Sequence, residues 1–141
     1  MRYLLTSLFL FGLSITFGQS KYNRILNSID DNKTNYSGIA QQIWSYAEMG
    51  YQETQSSALL QKTLEEAGFK ITTGVADIPT AFTATYGSGG PVIAVLGEFD
   101  ALPGLSQKAV PYKVSNDGKA GHACGHHLFG TASAAAAIAI K

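Results

Sequence analysis

The spacing of apolar residues changes along the chain, and each change predicts a different element. From Gly38, the positions Ile39, Ile43, Trp44 and Ala47 recur at helical spacing, and Gly50 is expected to stop that helix. Ile25 to Asn35 is more polar and reads as a short helix leading into it. A second helix follows, with Thr54 or Ser56 as its cap. Leu59, Leu60, Leu64 and Ala67 form its apolar stripe, and Gly68 stands where a C-terminal glycine is expected. The period then shortens. Phe69 to Thr73 is β-branched, and Phe82, Ala84 and Tyr86 alternate with Ala81, Thr83 and Thr85 as in a half-buried strand. Gly87 to Gly90 reads as a turn. Pro91 to Leu96 is an unbroken apolar run, the pattern of a strand buried on both faces. A mostly polar loop runs from Ser106 to Gly121, and Gly130 to Ile140 is an Ala-rich helix whose small side chains permit close packing on a sheet. This order of helices, strands and a closing helix predicts an α/β sandwich with a mixed sheet flanked by helices.

The first residues follow a different logic. Arg2 precedes an apolar stretch from Tyr3 to Phe17, and Thr16-Phe17-Gly18 offers small residues for cleavage. Residues 1–18 therefore read as a signal peptide, and a periplasmic or extracellular location is expected. The run is shorter than the roughly 20 residues that span a bilayer, so no membrane span is expected after cleavage. Residues 19–37 form a lead-in, and residues 38–141 the N-terminal portion of a catalytic domain.

Composition narrows the partners. Ten basic and ten acidic residues give a formal net charge of zero, and no Lys/Arg stripe occurs, which argues against nucleic acid. Hydrophobic residues make up 45% of the chain, enough for a packed core. Cys124 is the only cysteine, so no internal disulfide can form. It is a buried thiol, a reactive thiol or a metal ligand.

Two segments carry the candidate chemistry. Gly97-Glu98-Phe99-Asp100-Ala101-Leu102-Pro103 lies just beyond the apolar run, where ligands bind in open α/β sheets. In an extended backbone, Glu98 and Asp100 face the same side. Gly121-His122-Ala123-Cys124-Gly125-His126-His127 gathers all three histidines and the cysteine. Thiolate and imidazole both suit zinc and similar metals, and in an extended segment residues 122, 124 and 126 point the same way. One thiol is too few for an ordinary closed structural zinc site, so a catalytic site with open positions fits better. A nucleophilic Cys124–His126 pair is a further alternative.

Together, the stretches Gly97–Gln107 and Gly121–His126 resemble the M20 family of metallo-peptidases and amidohydrolases, with similarity from about Ile39 to the end. The resemblance implies a zinc-peptidase-like fold, with a separate lid or dimerisation domain that this chain lacks. It implies two divalent metal ions, zinc or manganese, and a small-molecule amide substrate. The implied reaction is cleavage of an N-acyl or N-aroyl amino acid such as p-aminobenzoyl-glutamate. Homodimers of the full-length protein through the second domain are also implied. Carried over by motif, Cys124 and His126 are metal ligands, and Asp100 orients a ligand. Glu98 departs from the metal-binding His of many members, and His127 replaces a more usual Asp or Asn. The family's general-base Glu and later ligands fall beyond Lys141, so the chain is expected to be an N-terminal fragment without turnover of its own. The competing reading is a non-catalytic remnant or metal-binding module.

Overall fold

Ile39, Ala40 and Ile43 lie on one side of a helix and are withdrawn from solvent there, with Ile43 fully buried. The computed structural model describes residues 22–141; the predicted signal peptide lies outside the described residues. Helix α1 covers residues 22–31 and is followed directly by α2, Lys33–Tyr46. Helix α2 stops earlier than expected, because Ala47 adopts a left-handed conformation (φ 46°) and donates its N–H to the Ile43 carbonyl. Gly50 is not needed for the stop.

Helix α3, Thr54–Glu66, buries Ser56, Ser57, Leu60 and Leu64. Neither Thr54 nor Ser56 caps it through a side chain. A carboxylate from the preceding loop does so instead. Glu48 accepts the Gln55 N–H at 3.0 Å and the Ser56 N–H at 2.8 Å, together with the Ser56 hydroxyl at 2.8 Å. These are donors that a helix N-terminus leaves unsatisfied, and a negative charge there also meets the positive end of the helix dipole. Partial burial alone would raise the Glu48 pKa, but the backbone and side-chain hydrogen bonds from Gln55 and Ser56 outweigh it and hold the pKa below its ordinary value.

Strand β1, Lys70–Thr73, pairs antiparallel with β2, Phe82–Thr85, in the register Lys70↔Thr85 to Thr73↔Phe82. The alternation predicted for β2 holds, with Phe82 and Ala84 turned inward and Thr83 and Thr85 exposed. Strands β3, Leu102–Pro103, and β4, Ala120–Gly121, form a second antiparallel pair. Among the described residues, parallel pairing outside the named strands is limited to a bridge between Met49 and Ala101. Helix α4 runs from His126 to Ile140. The core joins Ile39 and Ile43 of α2, Leu60 and Leu64 of α3, Phe69 and Ala134. The α/β class is as expected from the sequence.

Pro91–Leu96 departs from expectation. It belongs to no strand, and Val92, Ile93 and Leu96 are 86%, 76% and 74% exposed. An apolar run becomes a buried strand only when neighbouring strands take up its N–H and C=O groups and a layer covers each face. The described residues supply neither.

The Glu48 cap yields a test. Glu48→Gln keeps the shape and removes the charge, and should lower stability by about 1 kcal/mol near neutral pH, on the scale of a lost helix cap. Because the folded pKa lies below the unfolded one, the stabilisation is complete above the unfolded value and is lost as pH falls through the folded value. Thermal unfolding between pH 7 and pH 3 should therefore show a shallower acid limb in Glu48→Gln than in the parent protein.

Candidate metal centre

The two sequence motifs are brought together by backbone pairing. Leu102 pairs with Gly121 and Pro103 with Ala120, so the segment after the apolar run lies beside the histidine segment. This approach requires glycine. A Cβ on Gly121 would stand 2.2 Å from the Leu105 carbonyl oxygen. On the other side, α4 lies tightly against the stretch from Leu96 to Phe99. A Cβ on Gly130 would come within 2.9 Å of the Glu98 carbonyl oxygen and 3.1 Å of the Phe99 Cβ, and one on Gly97 within 3.1 Å of the Ser133 Cβ. The Ser133 hydroxyl donates to the Leu96 carbonyl at 2.6 Å. The Ala-rich helix, expected to pack closely on a sheet, packs here against a segment that belongs to no strand, through Gly130 and Ser133.

The histidine segment is not extended, contrary to expectation. Ala123 and Cys124 form a turn, Gly125 takes a left-handed conformation (φ 77°), and α4 begins at His126. Four more residues join the helix than the Ala-rich pattern predicted. The Gly125 carbonyl accepts the N–H groups of Leu128 and Phe129, which closes the first turn. Residues 122, 124 and 126 therefore do not share one face. His122 turns into the core and donates from Nε2 to the Ile43 carbonyl at 3.0 Å. Cys124 is exposed. His126 and His127 sit on the first turn of α4.

His126 is the centre of the site. Its Nδ1 is 2.7 Å from Asp100 Oδ1, and its Nε2 is 3.0 Å from Glu98 Oε2. The expectation that Glu98 and Asp100 face the same side is met, since both reach one imidazole. Asp100 is held by its neighbours, because the Ala101 N–H donates to the Glu48 carbonyl at 2.7 Å. Thus the loop that caps α3 also positions the Asp100 backbone. His122 and His127 stack obliquely with ring centroids 5.0 Å apart. Burial pushes both their pKa values down, most directly by removing water from the charged forms. The Nδ1 atoms of both are buried without a hydrogen-bond partner among the described residues. Sequence reasoning missed His122 as a core brace. Its spacing with Cys124 and His126 suggested a shared role, and only the turn at 123–124 separates them.

The residue types here suit a metal ion. A carboxylate on one imidazole nitrogen is the usual device that fixes the tautomer of a ligating histidine and directs its other nitrogen outward. Asp100 does this to His126, and an exposed thiol stands two residues before it. Among the described residues, no three His, Cys, Asp or Glu side chains are grouped so that they could hold a metal ion. A groove of about 950 Å³ opens nearby on the His122 side, bounded by Trp44, Glu48, Met49, Leu105 and Asp117.

The fold is consistent with a segment of an M20 peptidase domain. By sequence, the chain belongs to the M20 peptidases and amidohydrolases over the part of their length that it spans. It is 48% identical over 126 residues to a p-aminobenzoyl-glutamate hydrolase subunit of Escherichia coli (strain K12), covering 87% of this chain and 26% of that protein. It is 33% identical over 110 residues to the N-acetyl-L-cysteine deacetylase of Bacillus subtilis (strain 168), covering 74% and 25%. It is 29% identical over 129 residues to the Xaa-Arg dipeptidase of Mus musculus, covering 84% and 26%. The chain therefore spans about a quarter of the length of the curated relatives it matches. No family model matches it.

The glycine contacts can be tested directly. Gly130→Val gains a little helix propensity, at most several tenths of a kcal/mol. It also places a branched side chain against the Glu98 backbone, and overpacking of this kind costs roughly 1–3 kcal/mol. Denaturant unfolding should show a net loss of stability in Gly130→Val, whereas Ala136→Val, on the same helix, should change it less.

Proposed function

We propose that the protein carrying this segment is an exported, metal-dependent amidohydrolase that cleaves the amide of an N-acyl or N-aroyl amino acid, p-aminobenzoyl-glutamate being the first candidate. The observation that carries the reading is His126 braced by Asp100 at 2.7 Å, in a chain 48% identical over 126 residues to a p-aminobenzoyl-glutamate hydrolase subunit. The relatives' names support the substrate class: one acts on an aroyl-glutamate, another on an acetylated cysteine and a third on a dipeptide.

In this reading His126 and Cys124 are metal ligands, and Asp100 positions His126. A divalent zinc or manganese ion held by His126 and Cys124 would make a bound water more acidic near neutral pH and would polarise the amide carbonyl. The chain's own residues bind and orient. Asp100 accepts from the Nδ1 side of His126 and so presents Nε2. Gly125 sets the turn that brings Cys124 next to the helix, and the Gly130 contact keeps Glu98 and Asp100 against it. Assembly into homodimers through a separate domain belongs to the same proposal. No helix among the described residues is long and apolar enough to cross a membrane.

A thiol nucleophile is the less favoured reading. Both ring nitrogens of His126 face carboxylates, and Nε2 of His122 is taken by the Ile43 carbonyl. Neither of these imidazoles is directed at Cys124 as a base.

Two measurements test the proposal. Full-length protein should hydrolyse p-aminobenzoyl-glutamate, lose that activity to a chelator, and recover it with zinc or manganese. Absence of amide hydrolysis in metal-replete protein would sink it. Cys124→Ser should lose metal stoichiometry and rate together. Retained metal with lost rate would assign Cys124 as the nucleophile.

A further inference from the structure

We propose that His122 is a positioning residue for the hydrolytic site, its buried ring pinning the turn that carries Cys124 and leads into α4. The proposal deepens the amide-hydrolase reading above and rests on it.

Residues 122–125 form one tight turn, closed by the Gly125 N–H donating to the His122 carbonyl at 3.0 Å. The next residue, His126, is the first of α4. The middle residues of the turn, Ala123 and Cys124, are both exposed, and Gly125 has no side chain to anchor. His122 is the buried member, 8% exposed. Its Nε2 donates at 3.0 Å to the carbonyl of Ile43, 79 residues earlier and fully buried in α2. One side chain therefore ties the turn to the helical core. The same ring lies 5.0 Å, centroid to centroid, from that of His127 in the first turn of α4.

Burial alone does not explain a histidine here. A leucine or phenylalanine would fill a core position with no unmet polar group. The Nδ1 of His122 is buried without a hydrogen-bond partner among the described residues, a cost that an apolar side chain lacks. What the imidazole adds is direction, because a hydrogen bond to a main-chain carbonyl fixes distance and angle where apolar contact fixes neither. The acceptor does not depend on it. The Ile43 carbonyl also accepts the Ala47 N–H at 3.2 Å, so loss of the imidazole leaves no carbonyl orphaned. The bond therefore matters more for the placement of the turn than for the stability of α2.

Placement matters because Cys124 lies within the turn and His126 directly after it. A shift of the turn moves both relative to Asp100, whose backbone is held by the Glu48 loop. A displacement of about 1 Å in such groups costs on the order of a hundredfold in rate.

The test compares three variants of the full-length protein. His122→Phe keeps a buried ring and removes the donor. His122→Asn keeps an amide that reaches only the place of Nδ1. His122→Gln restores a donor at the reach of Nε2. In the metal-free Phe and Asn variants, amide hydrogen exchange over residues 123–129 should quicken roughly five- to tenfold, the factor for one lost hydrogen bond, while that of α3 stays as in the parent. Their kcat on p-aminobenzoyl-glutamate should fall at least about tenfold with KM within about twofold, on the scale of losing a group that orients a metal ligand. The Gln variant should recover most of both, and melting temperatures should stay within a few degrees of the parent. Should the Phe variant fail to fold, the Asn variant decides by the same readings. If exchange and kcat match the parent in both, or if kcat falls in step with melting temperature and Gln does not restore it, His122 only fills the core and this inference falls alone. If the parent itself shows no metal-dependent amide hydrolysis, the amide-hydrolase reading fails, and the role of His122 in the reaction fails with it even where exchange responds.

Discussion

The approach of α4 to the Leu96–Asp100 segment is the constraint on which the site depends. Helix α4 carries His126, and the extended segment carries Glu98 and Asp100. They meet at hydrogen-bonding distance only because Gly97 and Gly130 leave no side chains between the two backbones. A Cβ at Gly130 would stand 2.9 Å from the Glu98 carbonyl oxygen, so the helix and this segment could not keep their present approach. Packing and chemistry are the same contact here, seen on adjacent residues.

That contact is anchored from the other side by Glu48. Its carboxylate caps α3, while its carbonyl holds the Ala101 N–H beside Asp100. A residue that touches neither motif through its side chain thus fixes the entry to α3 and the orientation of the brace on His126. His122 adds a third tie, from the histidine segment to the Ile43 carbonyl of α2. The burial that pushes the His122 pKa down follows from that position in the core. The three ties link α2, α3 and α4 around the site, so the positions of the polar groups are set by the helical core.

The exposed run at Pro91–Leu96 has the opposite character. Its composition suits the interior of a sheet, and its backbone has no ladder among the described residues. Yet its last residue is fastened to α4 by Ser133, and the next residues carry the site. Glu98 and Asp100 both reach His126 without strand partners of their own, with α4 and the Glu48 loop holding the two ends of the segment.

Much of this was legible in the chain. The 3.6-residue spacing of Ile39, Ile43, Leu60 and Leu64 located two helices, and the alternation at Phe82 and Ala84 located a strand, because burial of one face imposes those periods. The two motifs, and the pairing of Glu98 with Asp100 on one side, followed from residue type and spacing. The ends of elements were less legible. Ala47 stops α2 ahead of the glycine expected to do so, and a carboxylate from the preceding loop caps α3 in place of its own hydroxyls. The histidine segment departs from expectation for a similar reason. Its spacing was consistent with an extended loop, but the left-handed turn at Gly125 starts the helix at His126, so that His122 reaches the Ile43 carbonyl, Cys124 stays exposed and His126 meets Glu98 and Asp100. Sequence by itself determined which groups are available for the chemistry, since that is a matter of composition and short-range order. Tertiary structure alone decided which of them meet, because His126 finds Glu98 and Asp100 across more than twenty residues of chain, and only the packing of backbone on backbone brings them within reach.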